Sequence, residues 1–364
     1  MRTFLGKTVR AAAVAVLTLS IATTMPADAT GSSERAGLTW KRVDLPHSHQ
    51  SLRGLDAVDG KVAWVSGDEG GVWRTVDGGR TWKDVRPDAE KALAFRDVEA
   101  DSATDAQVLA IGPRGQSRIY QTDDGGRTWE LRFKNKEAGA FYDCMAMFPD
   151  GVHGVAMSDP VDGKFRVIVT KNGGEHWKKA DPAGMPRAKD GEFGFAASGT
   201  CVVTAGIKDA WIASGGTASR VFHSTDYGLT WSVATTSIPP NADGGGVFSL
   251  AFRSSTVGIA VGGNFLDEDN GRRMTARTSD GGATWARGGN VGGYRSGVDW
   301  VPFSTTAVAV GPNGGDVSTD GGRTWAPIGR TGFHAVQCVG TLSTTCWASG
   351  PDGMVGILQG LPKG

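Results

Sequence analysis

The octapeptide Thr75-Val76-Asp77-Gly78-Gly79-Arg80-Thr81-Trp82 decides the architecture, because close copies of it return along the chain. They read TDDGGRTW at 122–129, TKNGGEHW at 170–177, STDYGLTW at 224–231, TSDGGATW at 278–285 and STDGGRTW at 318–325. From Trp to Trp the spacings are 47, 48, 54, 54 and 40 residues. A period of this length marks a repeated supersecondary unit. Asp or Asn followed by Gly makes a tight turn, in which the side-chain oxygen accepts backbone N–H bonds and Gly supplies a positive φ. The Thr-Trp or His-Trp that follows starts a strand whose ring can pack on the neighbouring unit. Asp77, Asp124, Asn172, Asp226, Asp280 and Asp320 are therefore read as structural turn residues, not as catalytic or metal-binding groups.

Composition agrees with this pattern. The chain has 364 residues, with 55 Gly and 12 Trp. Gly is about twice its usual share of roughly 7%, and the balance favours many short strands joined by turns over helices. Basic and acidic residues cancel at 38 each, so there is no field for nucleic acid or an anionic membrane. A 39% hydrophobic content is too high for a disordered polymer.

Each repeat carries four strand-like runs, as a propeller blade requires. In the first they are LRGLDAV, KVAWVSG, GVWRTV and TWKDV; in the second, FRDVEA, QVLAIG, SRIYQT and TWELRF. After the sixth octapeptide only three remain, FHAVQCV, TCWASG and GMVGIL. The missing fourth is found at 37–43, GLTWKRV, which looks like the end of another octapeptide and its strand without the acid. The expected fold is all-β: a single seven-bladed propeller of four-stranded antiparallel blades, closed by an N-terminal strand completing the last blade. Such closure removes exposed sheet edges. A six-bladed ring would leave three strand-like runs unexplained.

Residues 1–29 read as an export signal, leaving 30–364 for the propeller. Arg2, Lys7 and Arg10 precede an uncharged, mostly apolar stretch at 11–23, and Ala27-Asp28-Ala29 offers a small-x-small cleavage site. The apolar run is shorter than the ~20 residues a spanning helix needs, so no transmembrane segment is expected after cleavage and the chain is read as secreted or extracytoplasmic. Oxidising surroundings permit disulfides among Cys144, Cys201, Cys338 and Cys346. Cys338 and Cys346 flank a turn-like VGTLSTT and could face each other across a hairpin; Cys144 with Cys201 is the weaker pairing, since connectivity is not readable from sequence. None has CxxC spacing, which argues against metal or redox chemistry there.

Strands of a blade run up and down, so the octapeptide turns lie on one face and the blade-to-blade connections on the other. Loops on a rigid scaffold carry function, and the second face is richer. It includes 45–50 with His47 and His49, 66–69, 158–164 with Asp159, the stretch up to Glu192, and 262–273 with Asp267-Glu268-Asp269-Asn270. That acidic run lacks the spaced ligands of an EF-hand and is read as solvated surface; His47 and His49 have no accompanying Cys or carboxylate, and no metal or cofactor is expected. The innermost strands begin at the mouth of the central channel. Their first residues give the candidate ligand or partner site: Arg53, Arg96 with Asp97, Tyr142 with Asp143, Phe248, Tyr294 with Arg295, and His334, joined by Asp159 and Glu192. Three arginines among aromatics suit an anionic ligand or a partner's carboxylate, because guanidinium presents a planar fork of donors.

The octapeptide is the Asp-box, or bacterial-neuraminidase repeat, so the chain resembles the Asp-box β-propellers. Sialidases are one such group, and that resemblance implies a glycoside hydrolase with a Tyr nucleophile, a Glu partner, an Asp acid and three arginines. The early Phe-Arg-Ile-Pro motif is missing, Phe165-Arg166-Val167-Ile168 is a partial echo, and Tyr294 and Tyr142 are the only nucleophile candidates. Over nearly the whole mature length the blades resemble photosystem II stability and assembly factor-like propellers and their exported bacterial relatives, in segments such as FYDCMAMF, MSDPVDGKFRV, GEFGFAASGTC and GGVFSLAF. Those relatives are often labelled oxidoreductases, yet no dinucleotide or haem motif is present. This resemblance implies a monomeric, non-enzymatic platform that binds another protein, or an anionic or glycan ligand, across its loop-rich mouth.

Overall fold

Short runs of Val, Ala, Trp and Phe separated by Gly-containing turns pair with their sequence neighbours, and this local pairing builds the molecule. A computed structural model describes residues 37–45, 48–88, 93–340 and 343–361. The expected signal at 1–29 and His47 lie outside the described residues. The first blade pairs Leu52–Ala57, Ala63–Gly67, Val72–Thr75 and Lys83–Asp84 in order, antiparallel throughout. Five further blades begin at inner strands Ala94–Ala100, Tyr142–Met147, Val202–Ala205, Gly245–Phe252 and Gly297–Trp300. In the seventh, Ala335–Val339, Thr345–Ser349 and Met354–Gln359 are completed by Thr39–Asp44, with Thr39 opposite Gln359 and Asp44 opposite Met354. The chain is a seven-bladed β-propeller closed by its N-terminal strand, as the strand count demanded. One addition was not foreseen: Glu192–Phe193 and Gly215–Gly216 extend the fifth blade's sheet through Gly215 opposite Gly246.

The repeated turn shows why its residues recur. In the first copy Asp77 Oδ1 accepts from the N–H groups of Arg80 and Thr81 at 3.0 and 2.9 Å, and Oδ2 accepts from Thr81 Oγ1 at 2.6 Å. Gly79 N donates to Thr75 Oγ1, while Gly78 and Gly79 hold φ of 75° and 77°, a region costly for a side chain. Asp124, Asp226, Asp280 and Asp320 repeat the pattern. Asn172 keeps the backbone bond, from His176 N. Where the first Gly is replaced by Tyr227, the backbone still takes φ 64°, and the ring is held by stacking on His153 at 3.9 Å. Each tryptophan then packs between blades: Trp82 meets Trp347 edge-on at 6.1 Å and Trp129 meets Trp64 at 6.3 Å. Such aromatic pairs add about 0.5–1.5 kcal/mol beyond the area they bury.

At the axis a different device joins the blades. An innermost strand has one edge with no strand to pair with, and buried N–H groups there need acceptors. Side chains of adjoining blades supply them. Asp56 accepts from Ala100 N, Asp97 from Met145 N, Glu99 from Met147 N, Ser249 from Val298 N, Asp299 from Cys338 N and Gln337 from Ala57 N. Thr204 Oγ1 donates to Met147 O and Leu250 N to Thr200 O, which completes the circuit of seven. Burial raises these carboxyls: Asp56 to about 6, Asp299 to about 7, and Asp97 and Glu99 well above the carboxylate range. Two disulfides add covalent ties, Cys338–Cys346 across paired positions of one hairpin and Cys144–Cys201 between the third and fourth blades.

Removing Thr39–Asp44 exposes the backbone edge of Met354–Gln359 and uncovers Phe333, on which Trp40 packs at 4.8 Å. Truncation to Leu45 is expected to lower the thermal midpoint by more than ~10 °C, or to yield concentration-dependent oligomers through the open edge, as read by scanning calorimetry and size-exclusion chromatography. An unchanged, monomeric truncation product would contradict closure by this strand.

Candidate functional site

Several inner strands enter the ring with an irregularity. Register shifts fall between Leu52 and Gly54, Phe95 and Asp97, Tyr142 and Cys144, and Val247 and Ser249. The extra residues are Arg53, Arg96, Asp143 and Phe248, and a bulge re-aims the side chain of its extra residue. All four face one cavity of about 460 Å3 at the mouth, which also takes in Asp159, Phe195, Phe265, Glu268, Tyr294 and His334.

One wall is cationic. Arg53 Nη1 and Arg96 Nη1 each donate at 3.3 Å to a backbone carbonyl, of Ala197 and Ala196 respectively. The Nε of each is buried with no partner, and no carboxylate among the described residues makes an ion pair with either. Burial is the main influence lowering both arginines' hold on their protons; for Arg96 the charge of Arg53 adds to it, which places the two guanidiniums in each other's field. Asp68 and, for Arg53, Glu268 and Tyr294 act in the opposite sense from a distance. His334 Nε2 lies 3.0 Å from Ser51 Oγ, and burial with the two arginines depresses its pKa to about 3, so it is neutral at pH 7.

The next blade round the ring adds acidic groups. Asp159 Oδ1 accepts from Gly194 N at 2.8 Å, while Asp143 Oδ2 is buried with no partner. Burial raises both, Asp159 to about 6 and Asp143 well above the usual range, with the charge of Asp159 a further cause for Asp143. Aromatic rings line the same cavity. Phe195 and Phe248 stack at 3.7 Å, Tyr294 meets Phe248 at 4.7 Å, and the exposed Phe265 points its edge at both phenylalanines at 6.4 Å. Burial pushes the Tyr294 phenol upward, so it keeps its proton.

The structure thus brings together Arg53, Arg96, Asp143, Asp159, Phe248, Tyr294 and His334. The other candidates lie elsewhere. Arg295 is held by Asp316 at 2.6 Å and by Asn313 Oδ1 at 2.7 Å, wholly buried. Glu192 is paired with Arg220 and accepts from Ser214 Oγ, fixing the added strand beside the fifth blade. Asp97 points down the channel to Met145 N, and Tyr142 packs on Phe133 at 5.1 Å between blades. The arginines at the mouth are accordingly two, not three. Phe265 and Glu268 were not singled out as site residues; the readable sign was Phe265-Leu266, an apolar pair inside a polar loop. That loop is docked by Glu268 O, which accepts from Tyr294 N and Asn313 Nδ2, and by Asp269, which accepts from Asn313.

No family model matches the chain, and no curated protein matches it. Solved structures do. "YCF48 bound to D1 peptide" aligns with a TM-score of 0.60 at 13% identity, over 87% of this chain and 94% of the other. YCF48 from Cyanidioschyzon merolae aligns at 0.58 and 18%, over 87% and 98%. Virginiamycin B lyase from Staphylococcus aureus aligns at 0.62 and 10%, over 88% and 99%. At these identities the likeness is one of fold.

Two stability experiments follow from the charges. Arg53→Gln or Arg96→Gln removes one of two unpaired, neighbouring half-buried charges and is expected to raise the thermal midpoint by ~1–3 °C. Glu192→Gln strands Arg220 and is expected to cost ~3 kcal/mol. Equal destabilisation by all three would show that the mouth arginines are structurally paired. Lowered pKa values at Asp77, Asp124 and Asp280, to about 2, give stability that is present above pH ~4 and lost as pH falls through 2. Raised values at Asp56, Asp159 and Asp299 give stability that is full below pH ~4 and lost as pH rises through 6–7. His334 opposes the second trend as a single group, costing stability below pH ~6.5. Scanning calorimetry is therefore expected to find the highest midpoint near pH 4–5 and a decline by pH 8; a midpoint rising from pH 5 to 8 would refute the raised pKa values of these buried acids.

Proposed function

We propose that this chain is an exported, non-enzymatic propeller of the Asp-box type that seats an acidic group of a partner protein on Arg53 and Arg96 at its mouth. The observation that carries this reading is the pair of half-buried arginines whose buried Nε donors are unmet and which have no acidic partner, facing an aromatic cavity. Guanidinium and carboxylate geometries match. The half-exposed Phe265 and the exposed Leu266 beside it offer apolar surface around that charge. A propeller of the same fold, YCF48, is described as bound to a D1 peptide, and the sequence resemblance to assembly factor-like propellers points the same way. Export is supported by the 1–29 pattern and agrees with two disulfides.

The glycoside hydrolase reading is weaker. Its third arginine, Arg295, is bound to Asp316, and its best Tyr, Tyr294, has its proton held more tightly than a free phenol rather than released to make a nucleophile.

The test is an array of labelled peptides varying in Asp, Glu and Phe content, read by fluorescence anisotropy. Acidic peptides are expected to bind the wild-type chain and to lose at least tenfold in affinity against Arg53→Gln/Arg96→Gln, with binding weakening as salt rises. Equal binding by wild-type and double variant would overturn the assignment, as would Tyr294-dependent turnover of a fluorogenic sialoside.

A further inference from the structure

Several buried charges of the chain have partners. Arg295 meets Asp316, Arg220 meets Glu192, and the axial carboxyls of Asp56, Asp97, Glu99 and Asp299 each accept a backbone N–H. The mouth cavity differs from these sites. It holds two guanidiniums and two carboxyls in one cavity, yet no ion pair joins Arg53 or Arg96 to Asp143 or Asp159. Asp143 is only 3% exposed and its Oδ2 has no partner; the Nε atoms of both arginines are equally unmet. Guanidiniums and carboxyls that line one cavity without pairing leave room for a molecule that carries both signs itself.

We propose that this cavity is a seat for a zwitterion, a small molecule with a carboxylate on Arg53 and Arg96, an ammonium on Asp143 and Asp159, and an apolar group against Phe195, Phe248 and Tyr294. The proposal rests on the reading of the arginine pair as a carboxylate seat and adds the acidic residues of the same cavity to it. A guanidinium pair matches a carboxylate oxygen for oxygen. An ammonium is attracted both by the carboxyls and by aromatic ring faces, and the stacked Phe195–Phe248 pair lies in the same cavity. The volume, about 460 Å3, lies toward the lower end of the roughly 300–1,000 Å3 of small-molecule sites. Such a space suits one amino-acid-sized molecule better than a length of folded chain. Gly194 keeps the acidic wall open to it: a Cβ there would come within 3.0 Å of Asp143 Oδ2. Free apolar amino acids and quaternary betaines share this chemistry.

Isothermal titration calorimetry on the exported chain, residues 30–364, distinguishes them. The probes are L-phenylalanine, glycine betaine, 3-phenylpropionate, which lacks the ammonium, and phenethylamine, which lacks the carboxylate. Phenylalanine or betaine is expected to bind one to one, at least tenfold more tightly than either single-charge probe; which of the two does so names the source. In Asp143→Asn/Asp159→Asn, phenylalanine is expected to fall to the level of 3-phenylpropionate, whose own affinity stays unchanged. The wild-type series decides the matter even where that variant fails to fold. Absence of saturable binding by both zwitterions at millimolar concentration would overturn the proposal, as would equal affinity for phenylalanine and 3-phenylpropionate. If acidic peptides still bind through Arg53 and Arg96 in that case, the partner-binding reading stands alone; if peptides and 3-phenylpropionate also fail, both readings fall.

Discussion

The ring depends on what happens to the open edge of each innermost strand. A four-stranded blade leaves a row of N–H groups facing the axis, and in a buried channel these cannot be left to water. Here the neighbouring blade answers them, with Asp56, Asp97, Glu99, Ser249, Asp299 and Gln337 each reaching one backbone N–H. An unmet buried donor costs about 1–3 kcal/mol, so every such bond is also a reason for two blades to stay together. The acidic character of the lower channel follows from this task. Carboxyls there are acceptors for backbone and are occupied.

The same strands behave differently at their mouth ends. A bulged residue cannot take part in the ladder, and in the first, second, third and fifth blades that residue is delivered to the mouth instead. This separates two populations of buried charge only a few residues apart. Asp97 stitches blades, while Arg96 beside it faces the cavity. The site is thus an offshoot of how the sheet begins, and its rigidity comes from the ring beneath it. The added strand Glu192–Phe193, fixed by Arg220, carries the chain towards Phe195, Ala196 and Ala197, whose ring and carbonyls complete one side.

Some departures from the repeat illustrate how packing overrides local preference. Tyr227 occupies a glycine conformation because its ring is stacked on His153 and edged by Phe148 at 5.0 Å. Asn172 does with an amide what the other copies do with a carboxylate, since the essential bond is from backbone to side-chain oxygen. Neither change disturbs the blade.

The sequence alone determined the turn chemistry, the period, the count of blades and the closure by the run at 37–43, which the structure draws as Thr39–Asp44. Each of these is carried by local rules: an Asp-Gly turn, an alternating strand, one strand missing at one end and present at the other. Where the inner strands begin was also legible, and with it the neighbourhood of Arg53, Arg96, Asp143, Tyr294 and His334. What only the tertiary structure decided was which charges are spent on one another. Arg295 and Arg53 look alike in sequence, each beside the start of an inner strand, yet Arg295 finds Asp316 twenty-one residues on and Arg53 finds no acid. Pairing of that kind is set by which loops and bulges meet across blades. It is a sum over distant parts of the chain, and no local pattern records it.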